Sequence, residues 1–365
     1  MTEQIQDVFD EFTHRDWQTI SEHEDAPVRF AVIGLGWFTR DWAIPGFKRG
    51  QFTEPTVTVS SSKEKAEEWA DDFDMAAGIT YEEFHDGAAS DLYDAVYICT
   101  PNALHLEYAR TAADLDKDVL CEKPMEVDAE SAAEMVDVCR DVTLMVAYRM
   151  QTEPAVRRMR ELIADGFIGD VVHVHGDMSQ VMLGEIGLEE GGDVTQWRLK
   201  QDLSGGCALI DLGLYPLNTT RFILDADPVR VYAQTRSEHE AFEEVDEHAS
   251  WHMEFPDGVT ALNTVSQNSQ HSSTLQIKGT EGQLILDPAF FEREDRGLRV
   301  VRGGTEADID FDQVHQLEEE FDYFAHCLLT GEQPQSTGEH GLVDMQVVDA
   351  IYESADTGAP VDLDL

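Results

Sequence analysis

A glycine-containing turn follows the first apolar run of the chain, VRFAVI, and has residue types suited to holding phosphate groups. Two glycines separated by one residue permit a tight turn and let backbone amides approach a pyrophosphate. Thr39 stands where a third glycine or an alanine is usual in this motif. The residues predicted to contact a dinucleotide here are Gly34, Leu35, Gly36, Trp37 and Phe38.

The second apolar run, TVTV, ends in hydroxyl and amino groups rather than in a carboxylate. An NAD site usually places an acidic residue there, which accepts hydrogen bonds from the ribose 2′-hydroxyl. Hydroxyls and ammonium groups instead donate to a 2′-phosphate, so the predicted cofactor is NADP. The serines also suit the N-terminal cap of the following helix, and both roles are compatible. The residues concerned are Ser60, Ser61, Ser62, Lys63 and Lys65.

The elements that must position these groups change in character along the chain. Apolar runs alternate with helical patterns over residues 28–150, which indicates a parallel sheet with crossover helices. Beyond residue 150, strand-like runs follow one another directly, and two helical patterns close the chain. The predicted fold class is α/β, with an N-terminal arm (1–27), a Rossmann dinucleotide-binding domain (28–150) and a C-terminal α+β domain (151–365). The last contains a large, open, mostly antiparallel sheet.

The charge of the chain excludes some classes of partner. Asp and Glu total 74 against 25 Lys and Arg, which gives a formal net charge of −49 spread over the whole length. A surface of this kind repels phosphate backbones, so nucleic acid is not a predicted partner. Self-repulsion is relieved by screening, and the composition is therefore typical of a protein from a salt-accumulating organism.

Cysteine spacing and hydropathy predict a protein of the cytoplasm. The five cysteines show no C-x-x-C spacing, so neither a disulfide framework nor a thiolate metal site is indicated. His173 and His175 share a strand face, but no acid or cysteine stands at a ligand spacing from them, and no metal is predicted. The N-terminal sequence lacks a signal-peptide pattern and no apolar run reaches the roughly 18 residues of a membrane span.

Three segments taken together resemble a known family. DAVYICTPNALHLEYA, VLCEKPM and QWRLKQDLSGGCALIDLGLYPLNTTRFIL are similar to the Gfo/Idh/MocA oxidoreductases, and the similarity runs from about residue 29 to the last helical pattern. Within the family it is greatest to the glucose-fructose oxidoreductase group and to haloarchaeal enzymes acting on D-xylose. The resemblance implies the two-domain fold predicted above, a nicotinamide cofactor and a sugar substrate.

The resemblance also implies roles for individual residues. Lys123 matches the family's catalytic lysine, Pro124 usually carries a cis bond, and Asp211 and Tyr215 match the acid and the proton-transferring residue. Lys123, Tyr148, Asp211 and Tyr215 are implied to bind substrate. The further implied cofactor contacts are Thr100, Pro101, Asn102, His105, Glu122, Lys123, Arg149, Trp197 and Arg198.

These residue types suit oxidation of a sugar hydroxyl. A tyrosine has a pKa of about 10 and becomes a useful base near neutral pH only when a cation stabilises its phenolate. Lys123 would supply that cation, and Asp211 lies one helical turn before Tyr215 if the segment is helical. Each residue also has a structural interpretation: Asp211 as a helix cap, Tyr215 as a core tyrosine and Lys123 as a surface lysine.

The predicted function is that of an NADP-dependent sugar dehydrogenase, which oxidises the C1 hydroxyl of an aldopyranose, D-xylose before glucose, to the aldonolactone. A glucose dehydrogenase, an enzyme like glucose-fructose oxidoreductase that keeps its cofactor, and a non-catalytic NADP-binding sugar sensor are the alternatives. The open face of the second sheet is predicted to pair copies of the chain into a homodimer or homotetramer.

Overall fold

The computed structural model describes residues 27–182 and 196–365, which form two compact units. The first unit contains residues 27–149 and 315–342. The second unit contains residues 150–182, 196–314 and 343–365. The predicted N-terminal arm lies, apart from residue 27, outside the described residues.

Four of the described α-helices begin at a polar residue whose side chain caps the first turn. Ser62, Thr80 and Asp128 each accept a hydrogen bond from a backbone N–H of the helix that follows. No helix in the described ranges combines the length and the apolar character needed to cross a membrane. The described α-helices are α1 (Ile44–Arg49), α2 (Lys63–Asp72), α3 (Tyr81–His85), α4 (His105–Asp114), α5 (Ala129–Val138), α6 (Pro154–Ala164), α7 (Gln201–Ser204), α8 (Leu214–Leu224), α9 (Gln316–Thr330) and α10 (Gly338–Thr357). Short 3₁₀ or π-helical turns lie at Thr39–Ala43, Asn102–Leu104, Arg149–Gln151, Trp197–Leu199, Ala208–Gly213, Glu240–Phe242 and Pro256–Gly258.

A parallel sheet of six strands forms the centre of the first unit. Its strands are β1 (Val28–Ile33), β2 (Thr53–Ser60), β3 (Ala77–Thr80), β4 (Ala95–Ile98), β5 (Asp118–Glu122) and β6 (Leu144–Ala147). They lie in the order β3-β2-β1-β4-β5-β6. Successive residues of β1 and β4 are fully buried, because elements cover both faces of the sheet. The predicted Rossmann fold is confirmed.

Helix α9 belongs to the first unit, whereas the sequence pattern placed residues 315–342 in the C-terminal domain. The ring of Phe321 stacks on Phe47 with 3.8 Å between centroids. The carboxylate of Asp322 accepts hydrogen bonds from the backbone N–H groups of Gln51 (2.9 Å) and Phe52 (3.0 Å). An amphipathic helix shows in sequence that it has an apolar face, but not which unit covers that face.

A nine-stranded sheet forms the second unit. Its strands are β7 (Val171–Val181), β8 (Arg230–Arg236), β9 (His248–Glu254), β10 (Thr260–Ser266), β11 (Asn268–Gly279), β12 (Gly282–Leu286), β13 (Leu298–Arg302), β14 (Thr305–Ile309) and β15 (Val361–Asp362). They lie in the order β14-β13-β12-β11-β7-β10-β9-β8-β15. All neighbouring pairs are antiparallel except β7 and β10, which are parallel. The predicted mostly antiparallel sheet is confirmed.

One face of this sheet is packed and the other is exposed. Helix α8 packs on β7, and α6 packs on α8. Gly176 of β7 allows that approach, because a Cβ there would lie 2.6 Å from the Cβ of Pro216. On β10 the alternate residues Ala261 and Val265 are buried, whereas Leu262 is 48% exposed. The outward positions of the sheet therefore include large apolar side chains.

Candidate active site

The turn after β1 requires glycine at its first position. Gly34 has a φ of +94°, and a Cβ on it would lie 2.2 Å from the carbonyl oxygen of Cys99. A Cβ on Gly36 would meet nothing within 4 Å, so the space beside this residue is open. The N–H of Gly34 donates to the carbonyl of Val59 (3.1 Å), which fixes the turn against β2. The turn thus offers open backbone surface, and its residues fit the pyrophosphate of a dinucleotide.

The side chains around this turn divide into buried and exposed ones. Thr39 is fully buried, and its hydroxyl donates to the carbonyl of Gly34 at 2.6 Å, which ties the start of the next helical turn to the glycine. Leu35 is also buried, so it offers its backbone rather than its side chain. Trp37 is 54% exposed, and its ring meets that of Phe38 edge-on at 5.8 Å. The exposed indole is available to pack on a ligand.

The polar segment after β2 serves both as a helix cap and as a set of donors. Ser60 is buried at the strand end, Ser61 is exposed, and the hydroxyl of Ser62 accepts from the N–H of Lys65 (3.3 Å) at the start of α2. The ammonium of Lys65 donates to the carbonyl of Leu35 (2.5 Å) in the glycine turn. The structure therefore brings Lys65 to the predicted phosphate site.

Lys63 points elsewhere. Its ammonium donates to the carboxylate of Glu83 (2.8 Å) at the start of α3 and to the carbonyl of Gly78 (3.0 Å) in β3. Its charge is thus already paired with a carboxylate. Of the two lysines predicted to bind the 2′-phosphate, only Lys65 contacts the glycine turn.

His105 links two predicted cofactor-binding segments in the first unit. Its Nε2 lies 3.0 Å from the carbonyl oxygen of Thr100, and its Nδ1 lies 3.0 Å from that of Pro124. Burial lowers the pKa of His105 to about 4, although its carbonyl contacts oppose that shift. The buried imidazole therefore lies between the segment Thr100-Pro101-Asn102, which follows β4, and the segment that contains Lys123.

Glu122 and Lys123 stand at the end of β5. The hydroxyl of Tyr97 in the neighbouring strand β4 donates to Oε1 of Glu122 at 2.6 Å. Burial raises the pKa of Glu122, and the bond from Tyr97 and the charges of Lys123 and Arg149 oppose this. Lys123 is partly exposed, and its peptide bond to Pro124 is cis, as the family resemblance implied.

Helix α9 adds polar groups that the sequence did not predict. Arg149, which follows β6, donates to the side chain of Gln316. Glu320, one turn further along α9, is 0% exposed, and neither of its carboxyl oxygens has a hydrogen-bond partner in the described part of the chain. Burial and the charge of Glu122 raise the pKa of Glu320 well above its usual value, and the charge of Arg149 opposes this shift.

Tyr148 precedes Arg149 at the end of the same strand. It is 5% exposed, and its ring meets that of His340 edge-on at 6.0 Å. The hydroxyl oxygen of Tyr148 is buried as well. Its predicted contact with the sugar remains a prediction.

Asp211 and Tyr215 stand out in the second unit by their exposure. Every other residue of the segment 204–223 is buried, whereas these two are partly exposed. Asp211 lies in the π-helical turn Ala208–Gly213, and Tyr215 lies in the first turn of α8. The side chain of Gln267 donates to Oδ2 of Asp211 at 2.8 Å. Asp211 and Tyr215, four residues apart, are thus the two solvent-accessible side chains of an otherwise buried segment.

Asp246 anchors this segment, which the sequence did not indicate. Its carboxylate accepts from the N–H groups of Cys207 (2.8 Å) and Leu209 (2.7 Å) and from the hydroxyl of Tyr352 (2.9 Å). Burial raises its pKa, and these hydrogen bonds oppose the shift. Asp246 therefore stabilises the start of the turn.

Trp197 and Arg198 form a short 3₁₀ turn with Leu199. The guanidinium carbon of Arg198 lies 4.4 Å from the centroid of the Trp197 ring. Their predicted contact with the cofactor remains a prediction. In the ranges 27–182 and 196–365, no group of three or more His, Cys, Asp or Glu side chains is placed to hold a metal ion.

Two family models match the chain. Residues 28–149 match the oxidoreductase family with an NAD-binding Rossmann fold, and residues 156–285 match the GFO/IDH/MocA C-terminal domain. A solved structure of aldose-aldose oxidoreductase from Caulobacter crescentus, complexed with glycerol, is similar with a TM-score of 0.86 at 28% identity. The similarity covers 92% of this chain and 100% of that one.

Two haloarchaeal proteins are also similar over nearly their full length. The chain is 53% identical over 357 residues to D-xylose 1-dehydrogenase (NADP(+)) of Haloarcula marismortui, covering 97% of this chain and 98% of the relative. It is 32% identical over 339 residues to D-xylose 1-dehydrogenase (NADP(+)) 2 of Haloferax volcanii, covering 92% and 99%. The chain therefore belongs to the Gfo/Idh/MocA family of oxidoreductases.

Proposed function

We propose that the protein is an NADP-dependent sugar dehydrogenase that oxidises the C1 hydroxyl of an aldopyranose, with D-xylose as the preferred substrate. The observation that carries the proposal is the identity, over almost the whole chain, to a haloarchaeal enzyme named for this activity. A second haloarchaeal relative carries the same activity in its name. Oxidation of a cyclic aldose at C1 gives the aldonolactone.

The chain offers groups that suit NADP. When bound, NADP would accept the hydride that leaves C1. The glycine turn would hold the pyrophosphate, and the serines after β2 together with Lys65 would hold the 2′-phosphate. Thr100, Asn102, Trp197 and Arg198 remain proposed contacts to the rest of the cofactor.

The reaction needs a base for the C1 hydroxyl proton, and we assign that role to Tyr215. Its phenol has a reference pKa of about 10, so a nearby positive charge must favour the phenolate for it to act at neutral pH. Lys123 is proposed to supply that charge and to bind the sugar hydroxyl. Asp211, held by Gln267, is proposed to orient the sugar through its exposed carboxylate.

A second candidate activity is favoured by the similarity to an aldose-aldose oxidoreductase. An enzyme of that kind, like glucose-fructose oxidoreductase, would oxidise one sugar and reduce another without releasing its cofactor. Purified protein that keeps NADP through extensive desalting, and that needs no added NADP for sugar turnover, would favour this activity. A glucose dehydrogenase differs from the main proposal only in the preferred aldose.

The proposal is tested by following NADPH formation at 340 nm in molar KCl. D-xylose, D-glucose and other aldoses are each assayed with NADP and with NAD. We expect the highest kcat/KM with D-xylose and NADP. One hydroxymethyl group separates glucose from xylose, so the preference between them should be about 10- to 200-fold.

Two other results would contradict the proposal. A higher kcat/KM for glucose would shift the assignment to a glucose dehydrogenase. Absence of turnover with every sugar, in protein that still binds NADPH and sugar, would indicate a non-catalytic sensor. A sensor has no need for the set Lys123, Asp211 and Tyr215, and the retention of all three favours the enzyme.

We further propose that the enzyme is a cytoplasmic homo-oligomer. Tyr232 and Leu262 point outward from neighbouring parts of the second-unit sheet and are 39% and 48% exposed, which suits a surface that a second copy covers. All five cysteines are free thiols, as is usual in a reducing compartment. Light scattering after gel filtration in molar KCl would distinguish a monomer from the proposed dimer or tetramer, and Leu262→Asp should shift the mass toward the monomer.

A further inference from the structure

Two cations of the first unit stand over one tryptophan ring. The guanidinium carbon of Arg40 lies 5.6 Å from the centroid of Trp69, and the ammonium of Lys65 lies 5.1 Å from the same centroid. Trp69 is 6% exposed and packs in a hydrophobic core of the unit, so its ring is fixed. Each of the two cations is thereby held against the same rigid ring.

Both cations are also tied to the glycine turn. The backbone N–H of Arg40 donates to the carbonyl of Gly36 (3.1 Å), and the ammonium of Lys65 donates to the carbonyl of Leu35 (2.5 Å). Arg40 lies in the π-helical turn Thr39–Ala43, whose first residue is anchored by its own hydrogen bond to Gly34. The position of Arg40 is thus set by the same turn that would receive a pyrophosphate.

The charges of this pair have no acidic partner among the described residues. Throughout the described ranges, no carboxylate lies within 4.0 Å of the charged groups of Arg40 or Lys65. By contrast, exposed cations elsewhere in the same unit, such as Arg29, Lys63 and Arg110, each pair with an acid. In a chain with 74 acidic residues and 25 Lys and Arg, two cations that contact one ring and have no carboxylate partner in the described ranges mark a place that suits an anion.

We propose that Arg40 determines the specificity for NADP over NAD, and that it forms a clamp with Lys65, on the ring of Trp69, for the phosphate monoester at the ribose 2′ position. The inference rests on the proposed function, because it presupposes that the cofactor is NADP. It adds to the predicted site a residue, Arg40, that no sequence motif indicated. It also replaces Lys63, whose charge is paired with Glu83, as the second cation.

The chemistry of the two side chains suits a dianionic monoester. A guanidinium presents parallel N–H donors that match two phosphate oxygens, and the ammonium of Lys65 adds a third donor. Arg40 is exposed and is held by a weak cation–π contact rather than by an ion pair, so it can turn to a ligand without breaking a strong interaction.

The test measures ligand binding directly and does not depend on turnover. Binding of 2′,5′-ADP and of 5′-ADP is measured by calorimetry in molar KCl for the wild type, Arg40→Met and Lys48→Met. Lys48 is the matched control, because its ammonium also stands over an aromatic ring, that of Phe73 at 5.5 Å. Circular dichroism spectra and melting temperatures confirm that the variants fold.

We expect Arg40→Met to weaken 2′,5′-ADP binding by about 10- to 100-fold, the value of a charge-assisted hydrogen bond, and to change 5′-ADP binding less than about twofold. Lys48→Met should change neither. In the assay, Arg40→Met should raise KM for NADP and leave KM for NAD unchanged.

Two results would overturn the inference. Unchanged binding of 2′,5′-ADP by Arg40→Met would exclude Arg40 from the phosphate site. Equal weakening of both ligands would show that Arg40 contacts the adenosine rather than its phosphate. If the cofactor is not NADP, the result differs from both of these, because the wild-type protein would then bind 5′-ADP as tightly as 2′,5′-ADP.

Discussion

The hydroxyl of Tyr97 donates to Oε1 of Glu122 at 2.6 Å, which joins the ends of β4 and β5 beside Lys123. Tyr97 is fully buried, and Glu122 is partly buried with a pKa that burial raises. The hydrogen bond therefore stabilises the ionised form of a carboxylate in a poorly solvated place. It also fixes the strand end from which Lys123 extends.

Tyr97→Phe should lower the free energy of unfolding by about 1–3 kcal/mol, because it leaves a buried carboxylate without its donor. Chemical denaturation in molar KCl measures the change. Tyr93→Phe is the matched control, since the Tyr93 hydroxyl is buried without a hydrogen-bond partner among the described residues. Its removal should be neutral or stabilising. Equal destabilisation by both variants would mean that the bond to Glu122 contributes nothing specific.

Glu320→Gln should make the protein more stable relative to the wild type as the pH rises. The raised pKa of Glu320 means that the folded state holds its proton more tightly than the unfolded state does. In the wild type, the protonated Glu320 therefore contributes fully to the free energy of unfolding below the ordinary pKa of a glutamate. That contribution is lost as the pH rises toward the folded-state pKa. Glutamine cannot ionise and escapes this loss.

Denaturation at several pH values from 4 to 9 would show this divergence. Glu339→Gln, an exposed position on α10, serves as the control and should follow the wild-type curve. A Glu320→Gln curve parallel to that of the wild type would mean that Glu320 does not hold its proton in the folded protein.

His105 and Glu126 should give opposite pH dependences of stability. The pKa of His105 falls to about 4 on folding. Its contribution to the free energy of unfolding is therefore complete above the pKa of the unfolded state, near 6.5, and is lost as the pH falls toward 4. Burial raises the pKa of Glu126 to about 7. Its contribution to the free energy of unfolding is therefore complete below the pKa of the unfolded state and is lost as the pH rises from about 4.5 to 7. Each shift corresponds to about 3 kcal/mol at most.

The variants His105→Gln and Glu126→Gln separate these two contributions. Between pH 6.5 and 4.5 the histidine variant should lose less stability than the wild type on acidification, and the glutamate variant should lose more. The slopes are compared rather than the absolute stabilities, because both changes also remove hydrogen bonds. Identical slopes in all three proteins would contradict the assignment.

Lys123→Ala should fold and bind NADPH but lose turnover by about 10²- to 10⁴-fold, because the proton acceptor would lose its stabilising charge. Lys117→Ala, which changes a lysine over the ring of Tyr93 in the same unit, is the control and should retain activity. Fluorescence of bound NADPH separates loss of binding from loss of chemistry. Near wild-type kcat in Lys123→Ala would refute the proposed mechanism.

Tyr215→Phe should lower kcat by a similar factor and change sugar affinity less than about tenfold, because the ring remains and only the proton acceptor is lost. Tyr232→Phe, on the exposed sheet face, is the comparison variant and should keep wild-type kinetics. If Tyr215→Phe lowers only the affinity for sugar, Tyr215 is a binding residue and the base must be sought elsewhere.

The sequence predicted well those features that depend on local patterns. Buried strands of a parallel sheet appear as apolar runs, and the glycine turn appears through its spacing, so the Rossmann sheet and the position of Gly34 were both foreseeable. The partial exposure of Asp211 and Tyr215 agrees with their predicted roles, but whether they act on substrate remains a prediction.

Features that depend on distant contacts were not foreseeable. Glu320 belongs to a run of three glutamates, a pattern typical of a solvated helix start, yet it is fully buried. The direction of Lys63 depends on Glu83, which reaches it from another helix. The proximity of Arg40 to Trp69 arises from a π-helical turn that no periodicity in the sequence marks.

The contribution of α9 to the first unit bears on how the chain acquires its structure during synthesis. Phe47 emerges from the ribosome about 270 residues before Phe321, the ring that covers it, which at roughly 5–20 residues per second is an interval of about 15 to 55 s. During that interval the nascent Rossmann sheet exposes the apolar surface that the late helix covers in the folded protein. Until α9 has been synthesised, the nascent chain can therefore bind chaperones or aggregate through this surface.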